Sequence, residues 1–499
     1  MSEAPAMSSP PGRVQTGISG LDDVLRGGFP ANRLHLVQGT PGTGKTTLAL
    51  QFLLEGARQG ERVLYVTLAE TKAELQEIAD SHGWDIGTVP IYELTPAAES
   101  FRPEQQYTVF HPGEVEFTET IWAVLEEVER TQPQRLVLDS MAELKLIAND
   151  MGRYRRQVLG LKQFFAGRGC TVLVLDNLGD PETSVESIAH SVIRLQQVTP
   201  EHGGVRRRLH VVKVRGVSYR SGYHDFLIQS GGVHVFPHLV AAEHRERRER
   251  AVARSGVEEL DLLLGGGLTE GTSTLLIGPA GAGKSVIVTQ YAVAAAERGE
   301  RSAIYIFDEG IRTFLDRAES LGIPARQHVE SGMIELRQLD TAEVTPGEFD
   351  ALVRGAVDEQ GVRFIAIDSL NGYLNAMSEE QLVVLKLHEL LAYLNDKSIV
   401  TTLTMAQQGL IGDMRSPLDV SYLADTVILM RYFEAAGQFR QAISVIKRRT
   451  GPHERSIREF KLDSEGIHVG PPLTDFHGIM QGAPTFVGST QSLMADTLS

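Results

Sequence analysis

Cysteine is almost absent from this chain of 499 residues: Cys170 is the one thiol, so no disulfide can form within the chain and a reducing compartment is expected. Long apolar runs are missing too. No stretch is long enough to span a bilayer and none reads as a secretory leader, so no membrane role is expected and the cytoplasm is the expected location. Positive charge is in deficit: 48 Lys and Arg stand against 64 Asp and Glu, a balance of 48 − 64 = −16. Such a surface repels a polyanion unless a local basic channel interrupts it, so nucleic acid is not an expected partner. Hydrophobic and charged contents of 42% and 22% are those of an ordinary globular protein, and the length exceeds one core. Two domains of about 230 residues each are expected.

What is present is a repeat. Gly39-Thr-Pro-Gly-Thr-Gly-Lys-Thr46 and Gly278-Pro-Ala-Gly-Ala-Gly-Lys-Ser285 both fit G-x-x-x-x-G-K-[ST]. Lys45 to Lys284 is a step of 284 − 45 = 239 residues, and the same step links Gly17 to Gly256, Asp22 to Asp261, Gln51 to Gln290 and Glu70 to Glu309. One nucleotide-binding unit has been duplicated. A strand at 34–37 feeds the first loop and a helix over 46–56 leaves it, the context a working phosphate loop needs. The expected organisation is a flexible tail (1–14), a first domain (15–238), a linker (239–254) with the charge run 244–250, a second domain (255–469) and a tail (470–499) that packs on a neighbour or hangs free.

In each copy the loop glycines let backbone N–H groups converge on phosphate oxygens at a helix N-terminus. The cradle is read as Gly39, Thr40, Gly42, Thr43, Gly44, Lys45, Thr46 and Thr47, and again as Gly278, Ala280, Gly281, Ala282, Gly283, Lys284, Ser285 and Val286. Lys45 and Lys284 supply point charges for the β- and γ-phosphates of ATP. Thr46 and Ser285 offer hydroxyls to Mg²⁺, and the apolar strands ending in Asp139 and Asp368 supply the matching carboxylates. Hydrolysis also needs a group that orients or deprotonates the nucleophile. Glu70, and the adjacent Asp308 and Glu309, stand at the ends of further strands and are the candidates. Near the end of each copy Lys213 and Arg215, and Lys447 and Arg449, lie two apart on β-like segments and so share a face, placed to reach a γ-phosphate on a neighbouring subunit.

With these pieces in place the chain resembles the KaiC family of RecA-like ATPases over nearly its whole length. The resemblance covers Gly17-Ile-Ser-Gly-Leu-Asp22, both phosphate loops, both strand-end carboxylate sites, both Lys-x-Arg segments, Leu423-Ala-Asp425-Thr426 and Ile457-Arg-Glu-Phe460. It implies an α/β fold of two tandem RecA-like P-loop domains, each a mostly parallel sheet flanked by helices. It also implies a two-tier homohexamer with ATP between subunits, regulatory protein partners, a first ring that is mainly an ATPase and a second that is an autokinase and autophosphatase. The family's Ser-Thr phosphoacceptor pair falls on Ser421 and Tyr422, while the first copy has Glu186 in the place of Ser421. The family's two adjacent acids read Ala69-Glu70 in the first copy, leaving Glu70 alone, and Asp308-Glu309 in the second. Two other classes stand beside this one: a DNA-dependent motor, against which the segments 141–151 and 370–378 show only Lys145 as a basic residue, and a scaffold ring whose nucleotides only hold it together.

Overall fold

The fold is that of a computed structural model whose described residues are 12–94, 112–148, 150–178, 185–199, 204–239, 251–340, 342–375, 380–407, 420–435, 437–479 and 485–486. Most of the expected tail (1–11), the centre of the expected linker with its charge run (240–250), the end of the segment 370–378 (376–378) and the last residues (487–499) lie outside them. The chain divides into two units between His238 and Leu239.

In the first unit six strands run parallel, in the order Ser191–Val198, Leu34–Gly39, Thr171–Asp176, Arg135–Asp139, Val63–Thr67 and Ile91–Glu93. Three more, Arg206–Val214, Tyr223–Gln229 and Gly232–Phe236, extend the Ser191–Val198 side antiparallel, making a nine-stranded sheet among the described residues. Alternate side chains point to opposite faces. Leu36, Val66, Leu138 and Val174 enter one core, and Val37, Tyr65, Val137 and Leu175 the other. Burial on both faces is why these strands read as unbroken apolar runs.

The second unit repeats the plan. Its parallel strands run Thr426–Ala435, Thr272–Gly278, Val400–Ala406, Phe364–Asp368, Ser302–Ile306 and Ile334–Gln338, with Gln438–Arg448, Arg458–Asp463 and Gly466–Pro472 antiparallel beyond Thr426–Ala435. The α/β architecture is therefore the tandem, mostly parallel one expected. The duplicated aspartates of the openings are structural. Asp22 Oδ1 accepts the Thr16 N–H at 2.8 Å and Asp261 Oδ1 the Ser255 N–H at 2.9 Å, each fastening the chain to its first short helix.

Two boundaries differ from the sequence expectation. Leu239, expected to begin the linker, is buried in the second unit's core with Leu275 and Ile365. The strand Gly466–Pro472 runs past the expected domain end at Val469, and Leu473 and Ile479 are buried against Phe433 and Ala442. Within the described residues, the start of the expected tail is thus part of its own unit.

Candidate nucleotide sites

Both sites lie where the parallel strands end, the side of an open α/β sheet on which ligands bind. The strand Leu34–Gly39 leads through the loop into the helix Lys45–Arg58, and Thr272–Gly278 likewise leads into Lys284–Glu297. The residue before each helix, Gly44 and Gly283, has a left-handed φ of 91° and 95°. A Cβ at Gly283 would also stand 2.8 Å from the Phe460 ring, so backbone and space both demand glycine. Gly39, Thr40 and Gly42 line the first loop, and Gly278, Ala280 and Gly281 the second. Thr43, Thr47, Ala282 and Val286 turn their side chains into the interior, and the Thr43 hydroxyl closes the loop on Thr40 O at 2.8 Å. The N–H groups of Thr43 and Ala282 donate within their loops, to Thr40 O and Pro279 O, at 3.3 Å each.

The lysines fold back over their loops. Lys45 Nζ donates to Gly39 O at 2.7 Å, Thr40 O at 3.2 Å and Asn177 Oδ1 at 3.2 Å. Lys284 Nζ donates to Gly278 O at 3.0 Å and Pro279 O at 2.7 Å. Burial pushes Lys284 down to about 8, opposed by the charge of Asp368.

In the first site the Thr46 hydroxyl stands 3.4 Å from both Glu70 Oε1 and Asp139 Oδ2, and Tyr65 donates to Asp139 Oδ2 at 2.5 Å. The other Glu70 oxygen is buried without a hydrogen-bond partner. Burial first, then the Asp139 charge, push the Glu70 carboxyl up to about 7. Burial also raises Asp139, and lifts Asp176 on the next strand to about 6. The Ser140 hydroxyl donates to Glu143.

The second site is wired differently. The Ser369 hydroxyl donates to Asp308, and Thr404 to Asp368 Oδ1. Asp368 Oδ2 is buried without a partner, and burial raises this carboxyl, opposed by the Ser285 and Thr404 hydroxyls. Glu309 is held on both oxygens by Arg317, at 2.7 Å each. In each copy a hydroxyl and an under-satisfied carboxylate meet beside the loop, a donor set that suits a hard divalent cation. Among the described residues no group of three or more His, Cys, Asp or Glu is disposed to hold a metal by itself.

The two Lys-x-Arg pairs make matching contacts. Lys213 Nζ donates to Glu186 O, and Arg215 Nη2 to Ser187 O at 2.5 Å. Lys447 Nζ donates to Ser421 O at 2.9 Å and Ala424 O at 2.7 Å, and Arg449 Nη2 to Tyr422 O at 2.9 Å. Within one chain each pair grips the backbone of the segment that carries Glu186, or Ser421 and Tyr422. Glu186 is ion-paired with Arg194. Tyr422 is exposed, Ser421 half-buried.

Sequence reasoning missed Tyr65, Glu143, Asp176, Asn177, Arg317 and Thr404. Glu143 and Arg317 were open to discovery by comparing the copies, because Gly372 and Ile78 take their places. Tyr65 and Thr404 lie inside apolar strands and carry no local signal.

Two phosphate loops on tandem mostly parallel sheets, each with a strand-end aspartate beside the loop hydroxyl, define a RecA-like P-loop NTPase with two nucleotide sites. A family model described as the KaiC ATPase matches residues 14–240 and again 253–474. The chain belongs to the KaiC ATPase family. It is 26% identical to the circadian clock protein KaiC3 of Synechocystis sp., over 96% of both chains. To the circadian clock oscillator protein KaiC of Synechococcus elongatus it is 28% identical over 95% of this chain and 92% of the relative. To that of Acaryochloris marina it is 27% identical over the same shares. Among the described residues no helix is long and apolar enough to cross a membrane.

Proposed function

We propose that the protein is a Mg²⁺-dependent, ATP-hydrolysing homohexamer that phosphorylates itself on Ser421 and works in signalling or timing in the cytoplasm with regulatory protein partners. The observation that carries the reading is the matched grip of Lys213 and Arg215, and of Lys447 and Arg449, on one segment in each copy. At the position of Ser421 the first copy presents Glu186, already ion-paired, and its neighbouring hydroxyl, Ser187, accepts from Arg155 Nη2 at 2.9 Å.

The loops Gly39–Thr47 and Gly278–Val286 hold the triphosphate through backbone N–H groups, with Lys45 and Lys284 on the β- and γ-oxygens. Thr46 with Asp139, and Ser285 with Asp368, would hold Mg²⁺, which would neutralise negative charge on the phosphates. At the second site the Ser421 oxygen of a neighbouring subunit attacks the γ-phosphorus and the bond to the β-bridging oxygen breaks. The hydroxyl proton passes to the Asp308–Glu309 pair, and ADP leaves. Tyr422 is the second acceptor, its phenol reaching further than a serine. Lys213 and Arg215, or Lys447 and Arg449, face the γ-phosphate of the adjoining subunit once a ring forms.

The test is incubation of the purified chain with Mg²⁺ and γ-labelled ATP, with the labelled residue mapped by mass spectrometry. Label on Ser421, lost in Ser421→Ala and in Glu309→Gln, is expected. ATP turnover with no protein-bound label would leave a tandem ATPase and remove the kinase.

A further inference from the structure

The first copy lacks one of the two strand-end acids, since Ala69 stands where the second copy has Asp308. The space this frees is used. Asp308 accepts the hydroxyl of Ser369, the residue after the strand-end Asp368. In the first copy the corresponding hydroxyl, Ser140 after Asp139, donates instead to Glu143, which comes from the helix Met141–Ala148. The second copy's counterpart of Glu143, three residues past its serine, is Gly372. A Cβ there would lie 2.8 Å from Asp308 Oδ1 and against Phe307. The two copies have therefore made a reciprocal exchange. One carries its acid on the strand end and a glycine on the helix; the other carries alanine on the strand end and its acid on the helix. Both carboxylates are tied to the same serine hydroxyl. Glu143 also faces the site electrostatically, acting on Lys45, Asp139 and Asp176.

We propose that Glu143 is the second catalytic carboxylate of the first nucleotide site, standing in for the acid missing at Ala69. This rests on the ATPase reading of that site. Water attacks the γ-phosphorus, the bond from γ-phosphorus to the bridging oxygen breaks, and the water proton goes to the Glu143 carboxylate as ADP and inorganic phosphate form.

A rival role exists on the same helix, because Ser-x-x-Glu is also the spacing of a capping box. At Thr71 and Glu74 that box has its usual form, with the hydroxyl accepting the Glu74 N–H and Glu74 accepting the Thr71 N–H. At Ser140 the hydroxyl donates to the carboxylate, as the Thr71 hydroxyl also does to Glu74 at 2.9 Å, so this hydrogen bond fits either role. Glutamine serves a capping box as well as glutamate does, but it cannot accept a proton. Glu143→Gln therefore separates the two roles.

The experiment measures steady-state phosphate release by the full chain in a Lys284→Ala background, which silences the second site, together with binding of a fluorescent ATP analogue. Glu143→Gln is expected to lower kcat by about a hundredfold, as for loss of a general base, with KM and analogue binding unchanged. Ala69→Asp/Glu143→Gly, which rebuilds the second copy's arrangement, is expected to recover at least a tenth of the parent kcat. A Glu143→Gln kcat within a factor of about two of the parent, or a fall matched by lost analogue binding, overturns the proposal. A parent without turnover overturns the ATPase reading of the first site and this proposal with it.

Discussion

Arg317 separates the two sites more sharply than any residue of the loops. It holds Glu309 on both oxygens, whereas the position 239 residues earlier is Ile78 and leaves Glu70 without a guanidinium. A planar fork fixes a carboxylate in direction as well as charge. Arg317→Ile should therefore slow turnover and phosphotransfer at the second site by about tenfold through misplacement of Glu309, with ATP affinity kept. Arg317→Lys, which restores charge without the fork, should recover only part of the rate. Pre-steady-state mixing of ATP with the two variants measures both, and equal rates in the variants and the parent would show that the pair is only a surface tie.

At the scale of elements, the segment carrying Ser421 and Tyr422 is held from the strand Gln438–Arg448 and the residue beyond it, through Lys447 and Arg449. Removing either side chain should release backbone amides around 421–424. Hydrogen exchange in Lys447→Ala and Arg449→Ala should rise there, by about tenfold, and stay unchanged in Thr272–Gly278. Unchanged exchange at 421–424 would mean that packing alone fixes the segment. Much of this organisation was legible in the chain itself. An apolar run that ends in a charge marks Asp139 and Asp368, and glycines before a lysine mark both loops. Glu143 carries no signal within its own copy, because its spacing from Ser140 is that of a helix cap, and only the comparison with Gly372 marks it. Arg317 was hidden because two turns of helix separate it in sequence from the acid it grips. Leu239 and Leu473 were hidden by neighbours whose composition reads as linker and tail, although both side chains are buried.

For the whole molecule, the duplicated units differ in a buried histidine. His35 is fully buried between the Ser191 hydroxyl, at 2.6 Å from Nδ1, and Pro30 O, at 2.9 Å from Nε2. A carbonyl only accepts, so Nε2 carries a proton. Burial lowers this imidazole to about 3. Between that value and the ordinary 6.5 the unfolded chain binds a proton that the folded chain does not. His35's own contribution to the stability of the first unit should fall with acid across that window by about 1.4 kcal/mol per pH unit, while Glu70 and Asp176, which gain protons on folding, act in the opposite sense. The matching residue in the second unit is Thr274, which does not titrate. Urea unfolding followed by mass-spectrometric exchange at pH 7, 6 and 5 should find the first unit's midpoint in the parent falling, as pH is lowered, relative to that in His35→Gln; the same pH dependence in parent and variant would remove His35 as an acid-sensitive group. The exchange of acids between Ala69 with Glu143 and Asp308 with Gly372 has a genetic consequence as well. Gene conversion tends to keep tandem duplicates alike, yet here a tract that copied one position of a pair without the other would leave either two side chains competing for one space or no second acid beside Glu70 or Glu309. The interval between the paired positions is thus inherited as a block, and the two halves of the gene, once past that exchange, could only drift further apart.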